Sequence, residues 1–304
     1  MEKKLSREHV FYAFSPDLEP TMQVAQGEEF TLETHDCFSG QLQSEKDLLD
    51  ALDWERVNPA TGPVLIEGVQ PGDVVRVDLL KVKVVNQATM VTLPGEGALG
   101  DHITEMETAI LKYKEGKVVF RDRIEIPMAP MVGVIGLAPA EGKVPNGEPG
   151  AHGGNMDCTL ITEGASVYFT ANVPGALFGC GDFHAAMGDG EIVICGAETP
   201  GEIRLRAQVM PALKGLPTPF VETPELLSTI ASAGSLDQAG SDATHNMAEF
   251  LTRFAGLPVN DAGMLMSLVG QLKVCQVVDP QKTARFEFPK WVLKEYGFEL
   301  RKNS

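Results

Sequence analysis

Glu202-Ile-Arg-Leu-Arg-Ala-Gln-Val-Met210 alternates apolar and polar side chains. Ile203, Leu205, Ala207 and Val209 fall on one parity, and Arg204, Arg206 and Gln208 on the other. Successive side chains of an extended chain point to opposite faces, so this stretch predicts a strand with one buried and one wetted side. Ala165–Val173 repeats the pattern, with Val167, Phe169, Ala171 and Val173 on one face. Gly72–Val85 alternates too, but its polar residues change parity between Arg76/Asp78 and Lys81/Lys83. A bulge near Leu79–Leu80 restores a single wetted face. Turn clusters, Asn58-Pro59-Ala60-Thr61-Gly62-Pro63 and Pro71-Gly72-Asp73, sit before that strand. The 31 glycines and 20 prolines recur at short intervals, which is the punctuation of many short strands. The body is therefore expected to be mainly β, a jelly-roll-like β-sandwich or barrel.

Beyond Pro219 the texture changes. Met247, Phe250, Leu251 and Phe254 follow i, i+3, i+4, i+7 and predict an amphipathic helix over Thr244–Ala255, capped by Ser241 or Asp242. A second helix is expected from just after Asn260 to about Leu272, carrying Leu265, Met266 and Val269, and Lys273–Val278 reads as a buried strand. The chain is thus expected to divide into a mainly β body over 1–219 and a smaller α+β part over 220–304 packed on it.

The 304 residues carry 25 Lys+Arg against 42 Asp+Glu, a net charge of −17. That balance argues against a nucleic-acid partner, which needs clustered cations on phosphate. No apolar run follows the first basic residues as a secretory signal requires, and nothing approaches the ~20 apolar residues that cross a bilayer. Cys37, Cys158, Cys180, Cys195 and Cys275 are an odd number, scattered and without a C-x-x-C pair. They read as free thiols, and the chain as a cytoplasmic protein with no membrane partner.

Three glycine-flanked segments concentrate histidines and carboxylates where backbone can come close to a ligand. They are Glu33-Thr-His-Asp-Cys-Phe-Ser-Gly40, His152-Gly-Gly-Asn-Met-Asp-Cys158 and Gly179-Cys-Gly-Asp-Phe-His-Ala-Ala-Met-Gly-Asp-Gly-Glu191. In extended chain Asp182 and His184 share a face and could share one ion. Histidine with carboxylate suits zinc, whereas carboxylates and carbonyls alone suit calcium or magnesium. A His–Asp hydrogen-bonded turn accounts for the same pair without an ion. Asp189-Gly190 is also a hairpin-turn signal, while Glu191 is a candidate general base. Either His35 or Asp36 could be a ligand, and both only where the strand ends or bulges. Asn155 follows a Gly-Gly pair and could donate to an oxyanion, although a plain loop uses the same residues.

Gly95-Glu-Gly-Ala-Leu-Gly100 has the spacing of a dinucleotide fingerprint, but Pro94 precedes it and no apolar helix start follows. Cys37 and Cys158 lie near acids or histidines, yet small buried cysteines are commoner than nucleophilic ones.

Taken together, these segments resemble the acetamidase/formamidase family. The likeness runs through Glu33–Gln41, Asn58–Pro63, Gly68–Asp78, Val132–Pro139, His152–Asp157, Gly181–Glu191 and Gly270–Pro280. The pair H-G-G-N-M-D and G-D-F-H-A-A-M-G-D-G-E carries most of its specificity. The resemblance implies hydrolysis of short linear amides to carboxylate and ammonia by a homodimer or higher oligomer with a bound divalent metal, zinc first and calcium second. It implies Asp36, Asp157 and His184, with His35 beside them, as metal residues. Glu191, Asn155, Asp182 and Asp189 fall on motif positions as catalytic candidates, with Glu191 or else Asp182 as base. His152, Phe38 and Phe183 are candidate substrate contacts. Two other classes fit the same residues: another metal-dependent β-sandwich enzyme such as a lyase or oxygenase, and a non-catalytic module tied together by its ion.

Overall fold

A computed structural model describes residues 3–85 and 87–300. Its nine-stranded sheet runs, in spatial order, Lys3–Leu5, Glu29–Thr34, Gly201–Val209, Val74–Val84, Ser166–Thr170, Phe220–Glu222, Leu226–Ala233, Lys282–Pro289, Gln271–Gln276. The alternating stretch is near its middle, between Glu29–Thr34 and Val74–Val84. Ile203, Leu205 and Ala207 are fully buried while Arg204 is exposed, as the parity requires. Arg204 faces Lys81 and Leu205 faces Leu79, so Leu80 is the extra residue of a bulge at the parity change.

The second sheet runs Ile124–Pro127, Lys117–Phe120, Glu107–Lys114, Gln87–Thr92, Glu198–Thr199, Phe178–His184, Met131–Gly136, Gly153–Asn155, and Ala60–Ile66 also joins it by pairing with Phe178–His184. Leu32, Val77, Val167 and Ile203 of the first sheet share one core with Val132, Ile135, Phe178 and Phe183 of the second. Each such side chain contributes about 1.5–3 kcal/mol by leaving water. Two faces packed on one apolar layer make a sandwich, and neither sheet closes into a barrel.

The strands after residue 219 extend the nine-stranded sheet, and helices cover that extension. Met247, Phe250 and Leu251 pack with Phe220, Phe288 and Leu293 in a second core. The first helix spans Leu236–Glu249, eight residues earlier than the apolar stripe predicts, and its cap is Ser235, whose Oγ accepts the Gln238 N–H at 3.3 Å. Its sheet-facing residues include Ala239, Gly240 and Ala243, too small to register as a stripe. Phe250–Phe254 continues it as a π turn. The second helix, Val259–Val269, stops three residues short of Leu272 because Gly270 turns extended. A Cβ at Gly270 would lie 2.6 Å from the Met266 carbonyl oxygen. Gln271–Gln276 is an edge strand with Leu272 exposed, so only its end is buried, and the strand expected over Ala165–Val173 shortens to Ser166–Thr170. All five cysteines are buried free thiols. Among the described residues no helix is long and apolar enough to cross a membrane.

Candidate active site

Strand Phe178–His184 is the hub of the site. Met131–Gly136 pairs along one edge, and Glu198–Thr199 and Ala60–Ile66 pair along the other. The register sets Glu198 opposite His184 and brings Gly133 across from Asp182. A Cβ at Gly133 would come within 2.5 Å of Asp157 Oδ1 and collide with the Asp182 carboxylate, so glycine keeps that space open. Asp157 follows strand Gly153–Asn155. Asp157, Asp182 and Glu191 hold φ of 43°, 57° and 46°, a left-handed backbone that side chains with a Cβ seldom adopt. Strain of this kind persists where surrounding structure enforces it, and it gathers at functional sites.

Around His184 the polar atoms converge. Its Nε2 lies 3.0 Å from Glu198 Oε1, 3.5 Å from Asp182 Oδ1 and 3.8 Å from Asp157 Oδ1, and all four side chains are buried. Glu198 Oε1 accepts the Gly196 N–H at 2.8 Å. Yet both oxygens of Asp157, Nδ1 of His184, and Oε2 of Glu191 and of Glu198 make no hydrogen bond, and His184 Nε2 has only the carboxylate contacts just given. Donor atoms of Asp157, His184 and Glu191 lie within 4.8 Å of one another, as do those of Cys37, Asp182 and Glu198.

Burial, with the Asp182 charge added to it, pushes Asp157 up to about 7. Glu198 is pushed up to about 8 by burial, and the neighbouring imidazole only partly offsets this. Burial and the Asp157 charge hold Glu191 far above the usual carboxylate range, and Asp279 is raised by enclosure and by Asp157 and Asp182. Burial alone would depress His184, but the Glu198 and Asp182 charges outweigh it and raise the imidazole well above its ordinary value. Burial likewise opposes ionisation of Asp182, but His184 overrides it and Asp182 is lowered. Ionised together, the four buried carboxyls around one imidazole would be more negative charge than the chain neutralises by itself. Buried lone pairs without donors are costly, and a divalent cation satisfies them together. The donor set, imidazole nitrogen with carboxylate oxygens and a nearby thiol, fits such an ion.

Beside this cluster lies a cavity of about 100 Å³. Asn155, Asp182, Glu191, Glu198 and Asp279 form its polar side, and Phe38, Leu49, Trp54, Val57, Val91 and Ile194 its apolar side. Asn155 Nδ2 donates to Asp279 Oδ2 at 3.1 Å, leaving the Asn155 carbonyl oxygen unpartnered.

The structure brings Asn155, Asp157, Asp182, His184 and Glu191 together, with Phe38 on the facing wall. Asp36 Oδ1 accepts the N–H groups of Phe38 and Gly40, each at 2.9 Å, and so holds the turn that presents Cys37 and Phe38. His35 is half-buried, and neither it nor Asp36 belongs to either convergent group. Asp189 is taken by Arg285, through contacts of 2.9 and 2.7 Å, and by the Thr159 hydroxyl. The His152 ring stands edge-on to Phe14 at 5.2 Å, and burial lowers its pKa to about 4. Phe183 points into the sandwich core. Glu198 and Asp279 were not among the expected site residues. Asp279 lies in the Gly270–Pro280 stretch that carries the resemblance, whereas Glu198 is visible only through its strand pairing. Burial, then the charges of Glu198 and Asp182, raise the Cys37 thiol well above its ordinary pKa, which opposes a thiolate nucleophile there.

The family model described as the Acetamidase/Formamidase family matches residues 1–146 and 144–282. A formamidase of Methylophilus methylotrophus is 28% identical over 244 residues, which cover 60% of this chain and 59% of that protein. The chain spans between 59 and 62% of the length of the curated relatives it matches. Among solved structures, a predicted acetamidase/formamidase from Thermoanaerobacter tengcongensis is 46% identical with a TM-score of 0.95, covering 99% of each chain. An acetamidase from Bacillus halodurans is 41% identical with a TM-score of 0.94, over 97% of this chain and 100% of that one. With the family model matched across nearly its whole length, the chain belongs to the acetamidase/formamidase family.

Proposed function

We propose that this protein hydrolyses short linear amides of the formamide and acetamide type to a carboxylate and ammonia. The observation that carries the reading is the cavity of about 100 Å³ with carboxylates and an asparagine on one side and an apolar wall on the other. Pockets for drug-sized ligands run to roughly 300–1,000 Å³, so this one takes a molecule of a few heavy atoms. A primary amide with a hydrogen or short alkyl group has that size and that division of polarity.

A divalent cation bound at the cluster supplies Lewis acidity and a water of lowered pKa. Asp157, Asp182, His184 and Glu198 are the residues that would hold it, and the nitrogen donor with the Cys37 thiol nearby favours zinc over calcium. Glu191, on the lining of the same cavity, takes a proton from the attacking water in its ionised form and returns it to the departing nitrogen, a role worth about 10²–10⁴-fold. Asn155, anchored on Asp279 by one amide hydrogen, offers the other to the developing oxyanion. Phe38, Leu49 and Trp54 limit the water that reaches the reacting atoms. An iron oxygenase site of the 2-His-1-carboxylate kind would need a second imidazole, and His184 is the only one in the convergent groups among the described residues. Buried free thiols accord with a reducing cytoplasm, and the family resemblance with a homo-oligomer.

Ammonia release from formamide, acetamide and propionamide, before and after chelation, tests the reading. Release that chelation removes and zinc restores is the expected result. Absence of release by metal-loaded protein refutes amide hydrolysis, and release indifferent to chelation refutes the metal.

A further inference from the structure

The structure assigns Ile194 as the residue that limits the length of the acyl group, an assignment that rests on the amide-hydrolase reading. Ile194 lies on the apolar side of the cavity with φ of 119°. Among the described residues it is the only β-branched one with a positive φ, and for such a side chain this is a true outlier. An outlier survives only where neighbouring structure over-determines it.

Those neighbours are visible. Ile194 N–H reaches back to the Glu191 carbonyl at 3.4 Å, and Cys195 Sγ accepts the Val91 N–H at 3.2 Å. From outside, the loop Gly95–Gly100 presses on the preceding peptide: Ala98 N–H donates to the Ile192 carbonyl at 2.8 Å. Gly97, at φ of 74°, packs so closely that a Cβ there would stand 2.8 Å from the carbonyl oxygens of Ile192 and Val193. The glycine spacing that superficially suggests a nucleotide fingerprint thus has a mechanical use: it lets one backbone lean on another and hold Ile194 inward.

The position matters because Ile194 lies between Glu191 and Glu198, both on the polar side of the same cavity. Phe38, Leu49, Trp54 and Val57 reach the cavity from a separate segment. Ile194 is therefore fixed relative to the carboxylates that face the scissile amide, and an acyl chain longer than the cavity must displace it.

The test compares kcat/KM for formamide, acetamide, propionamide and butyramide in zinc-loaded wild-type, Ile194→Ala, Ile194→Val and Gly97→Ala proteins. One methylene in a fitted apolar pocket is worth about 10-fold or more. Ile194→Ala should raise the propionamide-to-formamide ratio by about that factor, and Ile194→Val should move it the same way by less. Gly97→Ala, which touches no cavity atom, should change the ratio without changing zinc content. If Ile194→Ala does not fold, the Val and Gly97 variants decide. Wild-type turnover with ratios unchanged in every folded variant overturns the assignment alone. Wild-type protein inert toward all four amides removes the amide reading and the assignment with it.

Discussion

Replacing Arg285 with Met tests whether the strand that carries it is part of the catalytic assembly. Arg285 is buried, yet its guanidinium makes five contacts: two with the Asp189 carboxylate at 2.9 and 2.7 Å, one with Glu287 at 2.7 Å, one with the Val274 carbonyl at 3.1 Å and one with Cys275 Sγ at 3.8 Å. Asp189 also accepts from Thr159, two residues after Asp157, and it stands two residues before Glu191. The next residue, Gly190, donates to the Cys275 carbonyl at 2.9 Å and accepts from Val277 at 3.2 Å. The guanidinium therefore ties together the segments bearing Asp157, Glu191 and Asp279. Breaking a buried pair by removing one partner costs about 3–5 kcal/mol. Lys273 remains on Glu287 at 3.0 Å, and the Asp189 side chain is 38% exposed, so the low end, about 3 kcal/mol, applies here. At about 2 °C per kcal/mol for a chain of this size, Arg285→Met should melt roughly 6 °C lower. At temperatures where both proteins are folded, its kcat should fall more than its KM rises, because Glu191 loses its fixed position. Arg285→Lys, which keeps charge but not the fork, should fall between. Circular-dichroism melts and ammonia release measure both effects. A Met variant that melts with the wild type and keeps its kcat refutes the coupling.

Three further outcomes follow from the same contacts. Asp157→Ala removes two of the convergent oxygens and should abolish metal retention and turnover together, as read by elemental analysis and ammonia release; a fully metallated, active variant would sink the role. In metal-free protein Asp157 at about 7 and Glu198 at about 8 lie well above their unfolded values of about 4. A carboxyl raised by folding contributes stability that is complete below the unfolded pKa and is lost as pH rises through the folded one. The melting temperature of chelated protein should accordingly drop between about pH 5 and pH 8, with zinc recovering more at the upper end; a flat or rising profile contradicts the burial argument. Ser235→Ala removes the helix cap and should cost about 1 kcal/mol, lowering the melt by roughly 2 °C with kcat unchanged; no change in melting would mean the cap carries no weight.

What the sequence made legible divides along physical lines. Period-two alternation over Glu202–Met210 and the parity change in Gly72–Val85 correspond to a buried-face strand and to a bulge at Leu80, because side-chain alternation is a local property. The apolar stripe starts the first helix eight residues late because its inner face is built from Ala239, Gly240 and Ala243, whose burial depends on sheet contact rather than on bulk. The site shows the same division. Asp182 and His184 are close in sequence and converge in space, whereas Glu198 reaches His184 only across a strand pair, and no residue spacing encodes that register. Asp189 stands in the same motif as Glu191, yet its carboxylate is turned to Arg285, nearly a hundred residues on, a partner the motif does not name.

Both sheets contribute to one small cavity. Its polar side takes Asn155, Asp182, Glu191 and Glu198 from the second sheet and its loops, and Asp279 from beyond Gln271–Gln276 at the edge of the first. Asp279 holds Asn155, and Arg285 on the neighbouring strand holds the turn that bears Glu191. Three of the site acids sit on left-handed backbone, and several of their oxygens are buried without donors. Such an arrangement is unfavourable for a bare chain, because burial opposes every charge that the chemistry requires. The sandwich and its sheet extension supply the packing that offsets this cost, and a cation among the convergent oxygens would relieve the remainder. On this reading stability and catalysis are opposed at the site: a change that relaxes Asp157, Asp182 or Glu191 steadies the metal-free fold and weakens the grip on the ion.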